Sequence, residues 1–140
     1  MTTETISKSL LIPTKWEPKR SSRFLLDLEG IDPFLVKQII LPKWSAENGE
    51  PKILSQLTLV LYDAIAPDTA HQVIETCTKS SVEALDFKIK LLDPVGTVVH
   101  IWQVGKATVN HVDFGDLDYN NSNPIEIKII FDIKSIELKF

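Results

Sequence analysis

The sequence predicts a mainly β protein: an antiparallel β-sandwich or small barrel of about seven strands, covered by one α-helix at about residues 67–79. Three observations lead there. Strand-length segments alternate apolar and polar residues with a period of two, which turns one face toward a core. Gly, Pro, Asn and Asp cluster between those segments at turn spacing. A single stretch carries the three-to-four spacing of an amphipathic helix. The length of 140 residues fits one domain.

Residues 1–20 are polar, with Pro13 and Pro18 and no sustained period, and are expected to form an extended arm before a domain at 21–140. Phe24, Leu26 and Leu28 alternate with polar neighbours and predict a strand from Arg23 to Leu28. Gly30 to Pro33 reads as a turn, and Phe34 to Leu41 as a second strand stopped by Pro42. Lys43 to Lys52 holds Asn48-Gly49 and Pro51, and reads as a loop of about ten residues, a length often tied to function. Leu57, Leu59 and Leu61 mark a third strand from Gln56 to Tyr62.

The helix is expected to open at Pro67-Asp68. Ala70, Val73, Ile74 and Cys77 fall on one apolar stripe, while His71, Gln72, Glu75 and Thr78 face away from it. Pro67 suits a first turn, where its missing N–H is not needed. Asp68 and Lys79 complement the helix dipole at its two ends.

Leu85 to Leu91 alternates again and leads to an Asp93-Pro94-Val95-Gly96 turn. Thr97 to Val104 returns from it. Gly105-Lys106 fits a two-residue hairpin loop, which would set Val104 opposite Ala107, Trp102 opposite Val109 and His100 opposite His111. Asp116 to Asn123 is a polar turn region. Ile125 to Ile133 closes the chain as a long alternating strand, about ten residues or ~33 Å. The strands Leu85–Leu91 and Ile125–Ile133 are expected to offer their backbone edges to other copies of the chain.

Composition narrows the function classes. Apolar residues make up 44% and charged residues 24%, ordinary for a globular domain. Lone Cys77 allows no internal disulfide. Apolar runs are short, so no membrane span is expected, and the N-terminus has no apolar core of a secretory signal. A net charge of −4 argues against a surface built to grip nucleic-acid phosphates. No catalytic set stands out: there is no phosphate loop or nucleophile elbow, and Cys77 lies on the apolar helix stripe. His100 and His111 would begin a metal site only with a third ligand. Asp113, Asp116 and Asp118 lack the spacing of a calcium loop and read as turn chemistry. No cofactor, no metal and no enzyme activity are expected.

The order of the pieces is similar to the tail tube proteins of contractile-tailed bacteriophages. Ser22 to Pro42 (SRFLLDLEGIDPFLVKQIILP) resembles their opening hairpin, with its Gly-containing turn and Leu-Pro end. Leu57 to Pro67 resembles the strand leading into their single helix. Leu91 to Val99, Trp102, Val112 to Tyr119 and the closing Ile125–Leu138 strand complete a likeness over residues 20–138. The resemblance implies stacked hexameric rings whose lumen conducts viral DNA during ejection, inside a contractile sheath. It implies a virion tail protein assembled in the host cytoplasm. Its partners would be copies of itself, the sheath protein, a baseplate tube initiator, a tail terminator, and a tape measure protein and DNA in the lumen. Trp44, Glu47, Asn48 and Glu50 would then form an inter-ring contact loop. His71, Gln72, Glu75 and Thr78 would face the sheath. Tube proteins of related contractile injection or secretion systems share these features. A non-catalytic β-sandwich binding module using Trp44 or the Asp113–Asp118 turn, and a metal-dependent enzyme using His100 and His111, are the alternatives from other classes.

Overall fold

A computed structural model describes residues 18–47, 49–53, 56–66 and 68–139. Nine strands and one helix occur among them. They are β1 (Phe24–Asp27), β2 (Val36–Ile40), β3 (Trp44–Glu47), β4 (Glu50–Ile53), β5 (Gln56–Tyr62), α1 (Thr69–Val82), β6 (Leu85–Leu92), β7 (Val98–Asp113), β8 (Glu126–Asp132) and β9 (Ser135–Lys139). Seven strands form one antiparallel sheet in the order β1-β6-β7-β8-β5-β2, with β9 also on β7, while β3 and β4 pair only with each other. The described residues are mainly β with a single α-helix, as the alternation predicts. No helix among the described residues is long and apolar enough to cross a membrane.

The sheet is folded over so that its halves face each other. Phe87 on β6 and Phe131 on β8 lie on opposite sides of β7, yet their rings are 5.4 Å apart. Between the halves sit the alternating apolar residues: Leu57, Leu59 and Leu61, then Ile127, Ile129 and Phe131, all fully buried. Leu26, Phe87, Ile89 and Val104 complete the core from the other half.

Strand β7 joins the two halves and corrects the sequence reading. Gly105-Lys106 is not a hairpin turn; the strand runs on for 16 residues. Phe87 pairs with Val104 and Leu85 with Ala107, so two residues of β7 oppose Asp86 alone. This is a bulge, which bends a strand and raises its twist. Lys106 takes a positive φ of 51° there, and its N–H donates to Asp86 Oδ1 at 2.9 Å. Ala107, Val109 and His111 therefore do not fold back on Val104, Trp102 and His100. Trp102 lies between Ile89 and Leu138 instead.

The 43–52 segment is likewise more ordered than a loop. It forms the β3–β4 hairpin, with Trp44 opposite Ile53 and Glu47 opposite Glu50. Gly49 at φ 81° supplies the left-handed turn residue, the conformation that an Asn-Gly pair favours. The second strand begins later than expected. Pro33–Leu35 is a 3-10 turn capped by Asp32, whose side chain accepts from the Phe34 N–H at 3.0 Å.

Helix α1 is N-capped by Asp68, whose Oδ1 accepts from the Ala70 N–H at 3.1 Å; Pro67 lies outside the described residues. Its buried residues are Thr69, Val73, Thr76 and Ser80, with Ala70 and Cys77 half-buried beside them. Ile74 is turned out and 55% exposed, contrary to the apolar stripe. The buried hydroxyls tolerate this because each has a carbonyl to donate to: Thr76 to Gln72 at 2.9 Å and Ser80 to Cys77 at 3.0 Å. Thr69 Oγ1 does most. It donates to the Tyr62 carbonyl and accepts from the Ala64 N–H, both at 2.8 Å, and so locks the β5–α1 corner. Replacing Thr69 by Val keeps the shape but orphans both backbone groups. Urea denaturation should show Thr69→Val less stable by about 1–3 kcal/mol, while Thr69→Ser, which keeps the hydroxyl, should lose much less.

Candidate assembly interface

The described side chains do not gather a chemical site. No group of three or more His, Cys, Asp or Glu capable of holding a metal occurs among the described residues. His100 and His111 are not cross-strand neighbours but lie on one strand, eleven residues apart. His100 is 4% exposed, pairs across to Leu91 and meets Trp102 edge-on at 6.1 Å. His111 is exposed opposite Ile130, its ring Nδ1 at 2.7 Å from Asn110 Oδ1. Cys77 is half-buried, and burial pushes its thiol pKa up, away from the thiolate that nucleophilic chemistry requires. Asp113 and Asp118 accept from the N–H groups of Gly115 and Asn120 at 2.8 and 2.9 Å, which is local turn bonding.

Three kinds of surface are left for function. The first is backbone edge. Strands β6 and β8, expected to offer edges, are each paired on both sides, because β1 covers β6 and β5 covers β8. In the seven-stranded sheet the open edges belong to β1, β2 and β9, and to β7 beyond Ala107, which pairs with β8 alone. Alternation reveals a strand's faces but not its neighbours, so the sequence held no signal for this. Between β1 and β2 the sandwich stays open as a groove of about 460 Å³, lined by Phe24, Leu91 and Trp102 on one side and Lys37, Ile39 and Leu41 on the other. The edge strands are short, and β2 carries an irregularity at Lys37, features that discourage indiscriminate pairing.

The second surface is the outer side of α1. His71 and Glu75 face solvent one turn apart, with Nε2 and Oε1 at 3.1 Å, and Thr78 lies exposed on the next turn. Gln72 leaves the set. It is half-buried, and its Oε1 accepts from the Asp32 N–H at 3.1 Å, holding the β1–β2 connection against the helix. Ile74 takes its place as an exposed apolar residue on this side.

The third surface lies at the two ends of β2, β5 and β8. Trp44, 66% exposed, opens the hairpin at one end. Glu47 ends β3 and Glu50 begins β4, whereas Asn48 lies outside the described residues. At the far end Phe34, Tyr62, Ile65, Phe114 and Ile125 are exposed, Ile65 almost completely. Lys37 spans this end, bonded to Glu126 and 5.7 Å from the Tyr62 ring centre; the Glu126 carboxylate raises its pKa. So many exposed large apolar residues at the ends of a well-formed core mark contact surface.

His100 gives the molecule an acid sensitivity. Burial lowers its pKa below the ordinary value near 6.5, and the neighbouring Lys19 charge adds to the effect. The unfolded chain therefore binds the proton more readily than the folded one. The resulting stability is fully present above about pH 6.5 and is lost as pH falls toward the lowered value. Thermal melts should show the wild type losing stability between about pH 7 and 5 faster than His100→Gln; parallel curves would contradict this role.

No protein-family model matches the chain, and no curated protein matches it significantly. Solved structures do. A chain of the anti-feeding prophage baseplate, determined by cryo-EM with six-fold symmetry, is 19% identical with a TM-score of 0.60, over 87% of this chain and 95% of that one. A chain of the sheath/tube terminator of the extracellular contractile injection system PVC, in its extended state, is 14% identical with a TM-score of 0.66, over 89% and 98%. The SPP1 tail tube is 12% identical with a TM-score of 0.57, over 87% and 79%. The chain has the fold found in these contractile injection system and phage tail tube structures.

Proposed function

We propose that the chain is the subunit of a bacteriophage tail tube, assembled as stacked hexameric rings inside a contractile sheath. The observation that supports it best is a tail-tube fold whose sheet ends in two strands with open outer edges, β1 and β2, flanking an open seam. Pairing such edges with identical neighbours satisfies their backbone groups, and a head-to-tail contact repeated around an axis closes a ring. The six-fold baseplate structure is the basis for a ring of six. The chain has no catalytic part in this reading and needs no cofactor. It works as a wall through which DNA, and a tape measure protein before it, pass during assembly and ejection. A net charge of −4 per copy disfavours lasting contact with phosphates. The tube assembles in the host cytoplasm and ends up in the virion tail.

The exposed surfaces support the following contacts. The β3–β4 hairpin, with Trp44, Glu47, Asn48 and Glu50, meets the adjacent ring. His71, Ile74, Glu75 and Thr78 face the sheath protein. The tube's first and last rings meet a baseplate initiator and a terminator. Likeness to the PVC and anti-feeding prophage structures favours a second reading of the same fold, the tube of an extracellular contractile injection system rather than of a phage tail.

Negative-stain microscopy of the purified chain tests the proposal. Six-membered rings or short tubes are expected, and a species that stays monomeric at every concentration would sink it. Introducing charge with Ile74→Asp should leave rings intact while abolishing co-sedimentation with the sheath protein. If the sheath still co-sediments, the helix is not the contact.

A further inference from the structure

One end of the core is left unfilled. Along their strands Phe24, Leu91 and Trp102 share a face with Leu26, Ile89 and Val104, and Ile39 sits opposite Leu59. Leu26, Ile89, Val104 and Leu59 are buried, whereas Phe24, Leu91, Trp102 and Ile39 are only half-buried and Leu41 is exposed. These partly bare side chains line the groove of about 460 Å³ between β1 and β2, room for several aliphatic side chains. Lys37 also lines it, with its ammonium bonded to Glu126, and among the described residues no carboxylate does. Such a groove between two strand edges suits an extended apolar segment.

The chain supplies one at the right place. The described residues begin at Pro18, and Ser21 and Ser22 line the groove. The Arg23 N–H donates to the Arg20 carbonyl at 3.1 Å, a turn that reverses the chain just before β1. On the far side of that turn, the Lys19 charge is close enough to oppose protonation of buried His100. His100 pairs with Leu91, which pairs with Phe24, so the chain arrives beside the groove's own wall. Residues 1–17 precede it, outside the described residues; fully extended they reach about 56 Å, against roughly 15 Å for β1 or β2. Their apolar side chains gather at Leu10-Leu11-Ile12, between Lys8-Ser9 and Pro13-Thr14, and the charges Glu4, Lys8, Lys15 and Glu17 fall outside that triplet. We infer that Leu10–Ile12 of the same chain seat in the groove between β1 and β2 and complete that end of the core. Burying three aliphatic side chains against an apolar floor drives the contact. The tether holds the triplet at an effective concentration in the millimolar range, which a separate peptide would have to exceed. The contact belongs to the free subunit and does not depend on ring formation.

Trp102 reports the contact, because it lines the groove. In the full chain carrying Trp16→Phe and Trp44→Phe it is the sole tryptophan. In that background, Leu10→Ser, Leu11→Ser and Ile12→Ser together should raise acrylamide quenching of Trp102 at least twofold, with circular dichroism confirming an unchanged fold. Leu10→Ile, Leu11→Ile and Ile12→Leu together, which keep the apolar volume, should leave Trp102 protected. Amide hydrogen exchange in the serine variant should quicken at β1 and β2 and stay unchanged at β5 and β8. Quenching that ignores the serine replacements overturns the inference. So does protection that appears only as the protein is concentrated, since that assigns the groove to a neighbouring copy's segment, or only when another protein is added. Rings are not scored, so a chain that fails this test can still build the tube, and one that never forms rings can still pass it.

Discussion

Strand β7 has to belong to both halves of the sandwich, and the backbone at Gly105–Lys106 is where that demand is met. Three strands converge on this point. Asp86 of β6 accepts the Lys106 N–H, the Gly105 carbonyl accepts the Lys134 N–H at 3.2 Å, and Ser135 of β9 packs against Gly105. A side chain at Gly105 would meet the Ser135 hydroxyl, which would have to rotate away. The break between β8 and β9 falls opposite the bulge, so both sides of the ladder bend together. If β7 ended here in a hairpin, Val104 and Ala107 would pair with each other. Phe87 and Phe131 would then lose the geometry that brings them together in the core.

That constraint explains what the sequence could and could not reveal. Alternation sufficed for β1, β5, β6 and β8, because one face of each is buried and a shift by one residue would expose the whole apolar set. It failed at Gly105–Lys106, because a two-residue turn and a two-residue bulge share the same local chemistry. What separates them is the partner on either side, and Asp86, twenty residues away, carries that information. The 43–52 segment failed in the opposite direction. Its Asn48-Gly49 signal was a hairpin signal, but flanking strands of four residues with Pro51 among them show too little alternation to register.

Helix α1 shows a related limit. Apolar spacing selected Ala70, Val73, Ile74 and Cys77, yet the buried line runs through Thr69, Val73, Thr76 and Ser80. A hydroxyl that donates to a helix carbonyl or to the preceding strand is small and satisfied, so hydropathy misjudges it. The rotation has two consequences for the surface. It draws Gln72 inward to the Asp32 N–H, and it leaves Ile74 in water. The first ties the β1–β2 connection to the helix; the second places an apolar side chain on the helix's outer side.

The same reasoning applies to the molecule's ends and argues for polarity in its assembly. A monomer with a well-filled core gains nothing from exposing Trp44 at one end and Tyr62, Ile65 and Phe114 at the other. A two-fold dimer would bury one of these ends and leave the other bare. A single contact between unlike ends buries both on every copy, and such a contact does not terminate itself. The unpaired edges of β1, β2 and β9 lie along the sides, so lateral and axial contacts draw on different residues. In the tube proposed above, a chain built this way closes a ring by one set of residues and stacks it by another.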